Sequence, residues 1–259
     1  MTANEVINII ESVAPLTQQE GWDNSGLQIG QRETTVSQVL LCTDVTDQII
    51  DEAISTGCQM VISHHPLLFH GLKTIEGTTR TERCVIRAIQ SGLVIYSSHT
   101  AMDSYLHGVS GHIADKLGIS NYHILSPEGA DAGLGVIGTL PQPVTLQALL
   151  QKVKTTFRCP VIRYTERTNE QEEPYINTIA VCGGAGAEFT EEAIRQGADA
   201  YISADFKYHE FQLSDGRICL LDIGHFESEQ FTKEIFRDLL QHKVKCLLAH
   251  TDQSPVKIF

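Results

Sequence analysis

The sequence predicts an α/β protein built as two similar halves, with mainly parallel or mixed sheets flanked by helices. Three observations predict it. Short apolar runs alternate with amphipathic segments along the chain, the run-helix-run order occurs twice, and its members recur at a shared offset of 140 positions.

The opening residues MTANEVINIIESVAPL carry acids and read as an amphipathic helix, without the basic and apolar regions of a secretory leader. QVLLC (38–42), QMVI (59–62) and LVIYS (93–97) read as buried strands. Residues 46–56 and 81–91 read as helices between them, an order that implies parallel pairing with helices on the sheet faces.

The second half repeats this arrangement. With the offset of 140, Cys42 falls on Cys182, EAISTG (52–57) on EAIRQG (192–197) and MVIS (60–63) on AYIS (200–203). Further on, at an offset of 126, His99 and Asp103 in SHTAMD meet His225 and Glu229 in GHFESE, each pair following an apolar strand. A glycine that ends a helix before a strand is a common local pattern. It explains single matches but not their order, so the halves are expected at 1–125 and 126–259. They diverge where His64-His65-Pro66 stands against Ala204-Asp205-Phe206.

The composition, 42% hydrophobic and 20% charged over 259 residues, is that of an ordinary globular protein with room for a substantial core. A net charge of -13 with only 19 Lys and Arg argues against general nucleic-acid binding. No apolar stretch is long enough for a membrane span. The seven cysteines show no CxxC spacing and lie mostly in apolar runs, which suits buried reduced thiols in a cytoplasmic protein.

Neighbouring side chains on a regular strand point to opposite faces, so His64 and His65 inside one would not share a pocket. Pro66 biases His65 toward extended or turn backbone, and at a strand end both rings can turn to the sheet edge, where α/β sheets collect ligands. Asp103 follows the strand LVIYSS, and His225 and Glu229 follow ICLLDIG. His225 and Glu229 share a face if GHFESEQF opens a helix. Three histidines and two carboxylates suit Zn, Mn, Fe, Co or Ni and are poor for Ca or Cu(I). Five ligands exceed the needs of one tetrahedral ion, whereas two ions sharing a carboxylate use them all. The competing reading keeps the histidines as hydrogen-bonded structure and Glu229 as support for a helix terminus.

ISHHP, GWDNSGLQIG, SHTAMDSYLHGVSGHIADKLG and DIGHFESE together resemble the Nif-three-like family, also called GTP cyclohydrolase 1 type 2 homologues, across nearly the whole chain. The resemblance implies the compact form of a two-domain α/β protein, lacking the central inserted domain of longer members, with a dinuclear metal site between the halves. It implies two divalent ions per subunit, His65 and Asp103 holding one, His64 and His225 the other, and Glu229 bridging them. It further implies a ring-like homohexamer, and places His99 near the ions as a group supporting a ligand or contacting a water.

Two adjacent divalent ions favour hydrolysis, because they activate a water and clamp the oxygens of the transition state. The family name points to the guanine ring of GTP, and more broadly to a nucleotide or another phosphorylated small molecule. The alternative is a non-catalytic metal-binding, metal-handling or regulatory partner protein. VCGGAGAEF (181–189) offers either a phosphate-receiving turn or a tight strand-to-helix connection. Lys207 and His209 either face a substrate phosphate or sit in a solvated loop, and Asp23 and Asn24 either reach the site or shape a turn with Gly26.

Overall fold

The structure, a computed structural model, describes residues 1–129, 132–168 and 175–259. Its strands are β1 (Gly26–Ile29), β2 (Gln38–Cys42), β3 (Met60–Ser63), β4 (Val94–Ser97), β5 (Ser120–Pro127), β6 (Gly133–Thr145), β7 (Arg163–Tyr164), β8 (Tyr175–Ala185), β9 (Ala200–Ala204), β10 (Cys219–Asp222) and β11 (Lys245–Leu248). They form two sheets, one in each of two compact units.

The first unit comprises Met1–Ser104 and Gln230–Gln253. Its sheet has the order β1-β4-β3-β2-β11, all parallel except the antiparallel edge strand β1. Every residue of β2, β3 and β4 is buried, which is why these segments read as continuous apolar runs rather than alternating ones. The helix Asp47–Thr56 starts where the Thr46 hydroxyl accepts from the Ile49 amide. It ends at Gly57, in the left-handed region at φ 72°, where the amides of Gly57 and Cys58 close on the carbonyls of Ile54 and Ala53. Ile49, Ile50 and Ala53 from this helix pack with Val85 and Ala88 from the helix Arg80–Gln90 over Leu40, Val61 and Ile95.

The chain divides differently from the expected 125/126 boundary. The helix Thr232–Leu240 and β11 belong with the first unit, because Lys245–Leu248 pairs in parallel with Gln38–Leu41 and the helix packs on β2 and on the N-terminal helix Ala3–Glu11. β2 is buried on both faces, and this returning segment supplies its outer backbone partners.

The second unit comprises Tyr105–Glu229 with Ser254–Phe259. Its mixed sheet has the order β5-β6-β8-β9-β10-β7, in which β8, β9 and β10 are parallel and the remaining pairings antiparallel. Ile137, Ala180, Tyr201, Phe206 and Leu220 lie in its core.

The parallel cores of the two units share a register. Val39, Leu40 and Leu41 pair with Met60, Val61 and Ile62 in the first; Ile179, Ala180 and Val181 pair with Ala200, Tyr201 and Ile202 in the second, the same pairs displaced by 140. The helix ending recurs too: Gly197 sits at φ 78°, and the Gly197 and Ala198 amides bond the Ile194 and Ala193 carbonyls. At the third strand Ser63 pairs with Ser97 and Ser203 with Asp222, an offset of 125 rather than 126. His225 therefore comes one residue later after its strand than His99 does.

No helix among the described residues is long and apolar enough to cross a membrane. No disulfide joins cysteines among the described residues, and six of the seven cysteines are buried.

Candidate metal centre

In the first unit, β3 ends at Ser63, but the amides of His64 and His65 continue the ladder by donating to the carbonyls of Cys42 and Thr43 at 3.2 and 2.9 Å. The backbone then bends into Pro66. This resolves the problem of the adjacent rings: their centroids lie 4.9 Å apart at an interplanar angle of 45°, on one side of the chain. His99 follows β4 and joins them, 5.2 Å from each ring. One ligand atom from each of His64, His65 and His99 lies within 4.8 Å of the others. Asp103, the last residue of the helical turn Thr100–Asp103, brings Oδ1 to 3.7 Å from Nε2 of the fully buried His64.

Each ring is held through Nδ1. His64 Nδ1 donates to the Ser98 carbonyl at 3.1 Å, His65 Nδ1 to Asp44 at 3.1 Å and His99 Nδ1 to Asp23 at 2.9 Å. These partners can only accept, so each neutral ring carries its proton on Nδ1 and presents the lone pair of Nε2. Burial raises the Asp23 carboxyl, but hydrogen bonds from His99 and Thr100 outweigh it and hold the group well below the usual carboxylate range.

In the second unit, the helical turn His225–Glu229 does place both residues on one face, with His225 Nε2 and Glu229 Oε2 3.1 Å apart. Asp205 Oδ2 accepts from His225 Nδ1 at 2.7 Å. Burial disfavours a charged His225, yet Asp205 and Glu229 prevail and its pKa is pushed up to about 11. Asp222 stiffens the surroundings: its carboxylate accepts from the amides of Phe206 and Gly224, the residues beside Asp205 and His225, and pairs with Arg163.

The glycines of VCGGAG serve this turn. At Gly184, φ 64°, a Cβ would meet Glu229 Oε1 at 2.3 Å and His225 Cε1 at 3.4 Å, while the Gly184 amide donates to Ser228 Oγ at 2.9 Å. The segment is a close-fitting seat for Glu229. Lys207 and His209 are exposed, and Lys207 sits 3.6 Å from Glu210 in a short helical start.

The donor set fits divalent transition ions: imidazoles of fixed tautomer beside carboxylates, with carboxylate or carbonyl groups behind the rings. Asp44 and Asp205 were missed as supports in the sequence. The only signal was Asp205, which aligns with His65 at the offset of 140.

A two-sheet α/β fold carrying orientated histidines and carboxylates defines a candidate metal-binding protein. The chain belongs to the Duf34/NIF3 (NGG1p interacting factor 3) family, which matches residues 1–255. It is 36% identical over 234 residues, 88% of this chain and 87% of the relative, to a GTP cyclohydrolase 1 type 2 homolog of Clostridium perfringens. It is 34% identical over 233 residues, 88% of this chain and 85% of the relative, to the protein of that name from Clostridium acetobutylicum. A crystal structure of a Bacillus cereus protein related to NIF3 shares the fold, with a TM-score of 0.90 at 21% identity over 100% of this chain and 99% of that one.

Proposed function

We propose that this protein binds two divalent metal ions and is a metal-dependent hydrolase of a nucleotide or another phosphorylated small molecule. His65 and Asp103 would hold one ion and His64 and His225 the other, with the Glu229 carboxylate available to both. The observation that supports this reading is the common anchoring of His64, His65 and His225, each fixed at Nδ1 by an acceptor so that Nε2 would be the ligating atom.

Bound there, Zn, Mn, Fe, Co or Ni would supply Lewis acidity and lower the pKa of a water. The protein's part is positioning. Asp44 and Asp205 orient two of the rings, the Ser98 carbonyl orients the third, and Gly184 leaves room for the Glu229 carboxylate. Family membership supports a ring-like homohexamer, and the free thiols support a cytoplasmic protein.

Elemental analysis after incubation with Zn or Mn should approach two ions per chain, and well under one ion rejects the metal assignment. Metal-replete protein assayed against nucleotides and phosphoesters should show turnover that His65→Ala removes. Full metal occupancy with no such turnover would instead support a metal-handling or regulatory partner protein. Light scattering giving a monomer mass would reject the hexamer.

A further inference from the structure

Trp22 is the only tryptophan in the chain, and it is 59% exposed. Its ring centroid lies 5.9 Å from that of Phe69, tilted by 51°, and 5.9 Å from that of His99. Phe69 is itself 39% exposed and 6.2 Å from His99. Two exposed aromatic rings thus border the histidine cluster of the first unit.

The segments that carry both rings are tied down while the rings themselves stay exposed. Asp23, next to Trp22, accepts hydrogen bonds from His99 Nδ1, the Thr100 amide and hydroxyl, the Ser25 hydroxyl and the Asn24 amide. Asn24 Nδ2 donates to the Leu68 carbonyl at 2.6 Å, and the Leu68 amide donates to Gln28 Oε1 at 3.1 Å. These bonds tie the Trp22 loop to the segment that carries Phe69. Ordering large aromatic side chains while leaving their faces in water has no folding benefit, and it is the arrangement a preformed ligand platform requires.

We propose that Trp22 and Phe69 form a stacking platform for a planar heteroaromatic ring of the substrate, of the nucleobase class. This rests on the reading of the histidine cluster as the reacting centre. The two rings touching the platform site, Trp22 and Phe69, carry no charge, so the platform recognises the ring and not the phosphate. An indole stacks on any base, with an affinity contribution of about tenfold or more.

Trp22 emission reports on the platform directly. Titrating metal-loaded full-length protein with guanosine monophosphate should quench it saturably, and ribose 5-phosphate should not. Trp22→Ala should weaken binding of guanosine monophosphate, measured by calorimetry, about tenfold or more with metal content unchanged. Trp22→Phe should retain most of the affinity.

Four results overturn the proposal: equal affinity in Trp22→Ala; binding of guanosine monophosphate without any change in emission; no quenching by guanosine, adenosine or cytidine monophosphate at millimolar concentration; and blue-shifted emission that turns red on dilution, which assigns the pair to contact between copies. If no hydrolysis is found but guanosine monophosphate still quenches Trp22, the platform stands and the hydrolase reading falls. If a ring-bearing substrate is hydrolysed with the same KM by Trp22→Ala, the platform falls and the hydrolase stands.

Discussion

A methyl group on Gly184 would stand 2.3 Å from Glu229 Oε1, well inside the 3.0 Å that non-bonded Cβ atoms keep from their neighbours. Gly184→Ala must therefore move the carboxylate, and it also forces a side chain into the left-handed region at φ 64°. Metal affinity measured by calorimetry should fall about 10- to 100-fold, the usual result of disturbing a ligand's support. Far-UV circular dichroism should stay native, and unchanged affinity would show that Glu229 is not a ligand.

Asp205 holds His225 from a backbone position at φ 58°, which asparagine also tolerates. Asp205→Asn keeps the turn but removes the charge behind the ring, as Asp44→Asn does for His65. Each substitution should weaken metal binding about tenfold or more with little change in thermal stability. A large loss of Tm with full metal affinity would make these aspartates structural instead.

Glu82 Oε2 accepts from the amides of Thr78 and Glu76 and the hydroxyl of Thr78 at 2.9 to 3.1 Å. These bonds, the Thr78 amide foremost, lower its pKa from 4.5 to about 2. A lowered folded-state pKa contributes stability that is complete above pH 4.5 and lost as the pH falls toward about 2. Urea titrations should find Glu82→Gln less stable than the parent at neutral pH, with the difference shrinking across this window.

Gly57 and Gly197 end equivalent helices at φ 72° and 78°, and a Cβ on either would meet nothing within 4 Å. Only backbone strain opposes alanine there. Gly57→Ala and Gly197→Ala should each cost about 1 kcal/mol in chemical denaturation, and very unequal costs would argue against equivalent caps.

Burial pushes the thiols of Cys84 and Cys246 up to about 11 and that of Cys159 up to about 12. Native protein should show slow reaction of these groups with a disulfide reagent near neutral pH, and all seven cysteines should react after unfolding. Fast labelling of Cys84 or Cys159 in the native state would contradict their burial.

The strands QVLLC, MVIS and VIYS were legible because parallel strands buried on both faces leave continuous apolar runs. The helix ends at Gly57 and Gly197 were legible because a cap depends on residues within one turn. The VCGGAG segment was ambiguous for the opposite reason: its glycines answer to Glu229, 45 positions beyond Gly184, and nothing local separates a seat for a carboxylate from a phosphate turn. The pairing of β11 with β2 was not legible because it joins segments about 200 residues apart.

By itself the sequence determined the α/β class, the repeated strand-helix-strand order, the family and the residue types that suit a metal. Each of these is written in periodicity, in spacing or in the chemistry of single side chains. Tertiary structure alone decided that His64 and His65 turn to one side, that Asp44, Asp23 and Asp205 stand behind three of the rings, and that Trp22 and Phe69 stay in water beside His99. An imidazole's orientation is set by the acceptor that meets its Nδ1. In His65, His99 and His225 that acceptor comes from another part of the chain, 20 or more residues away, and is brought there by strand pairing.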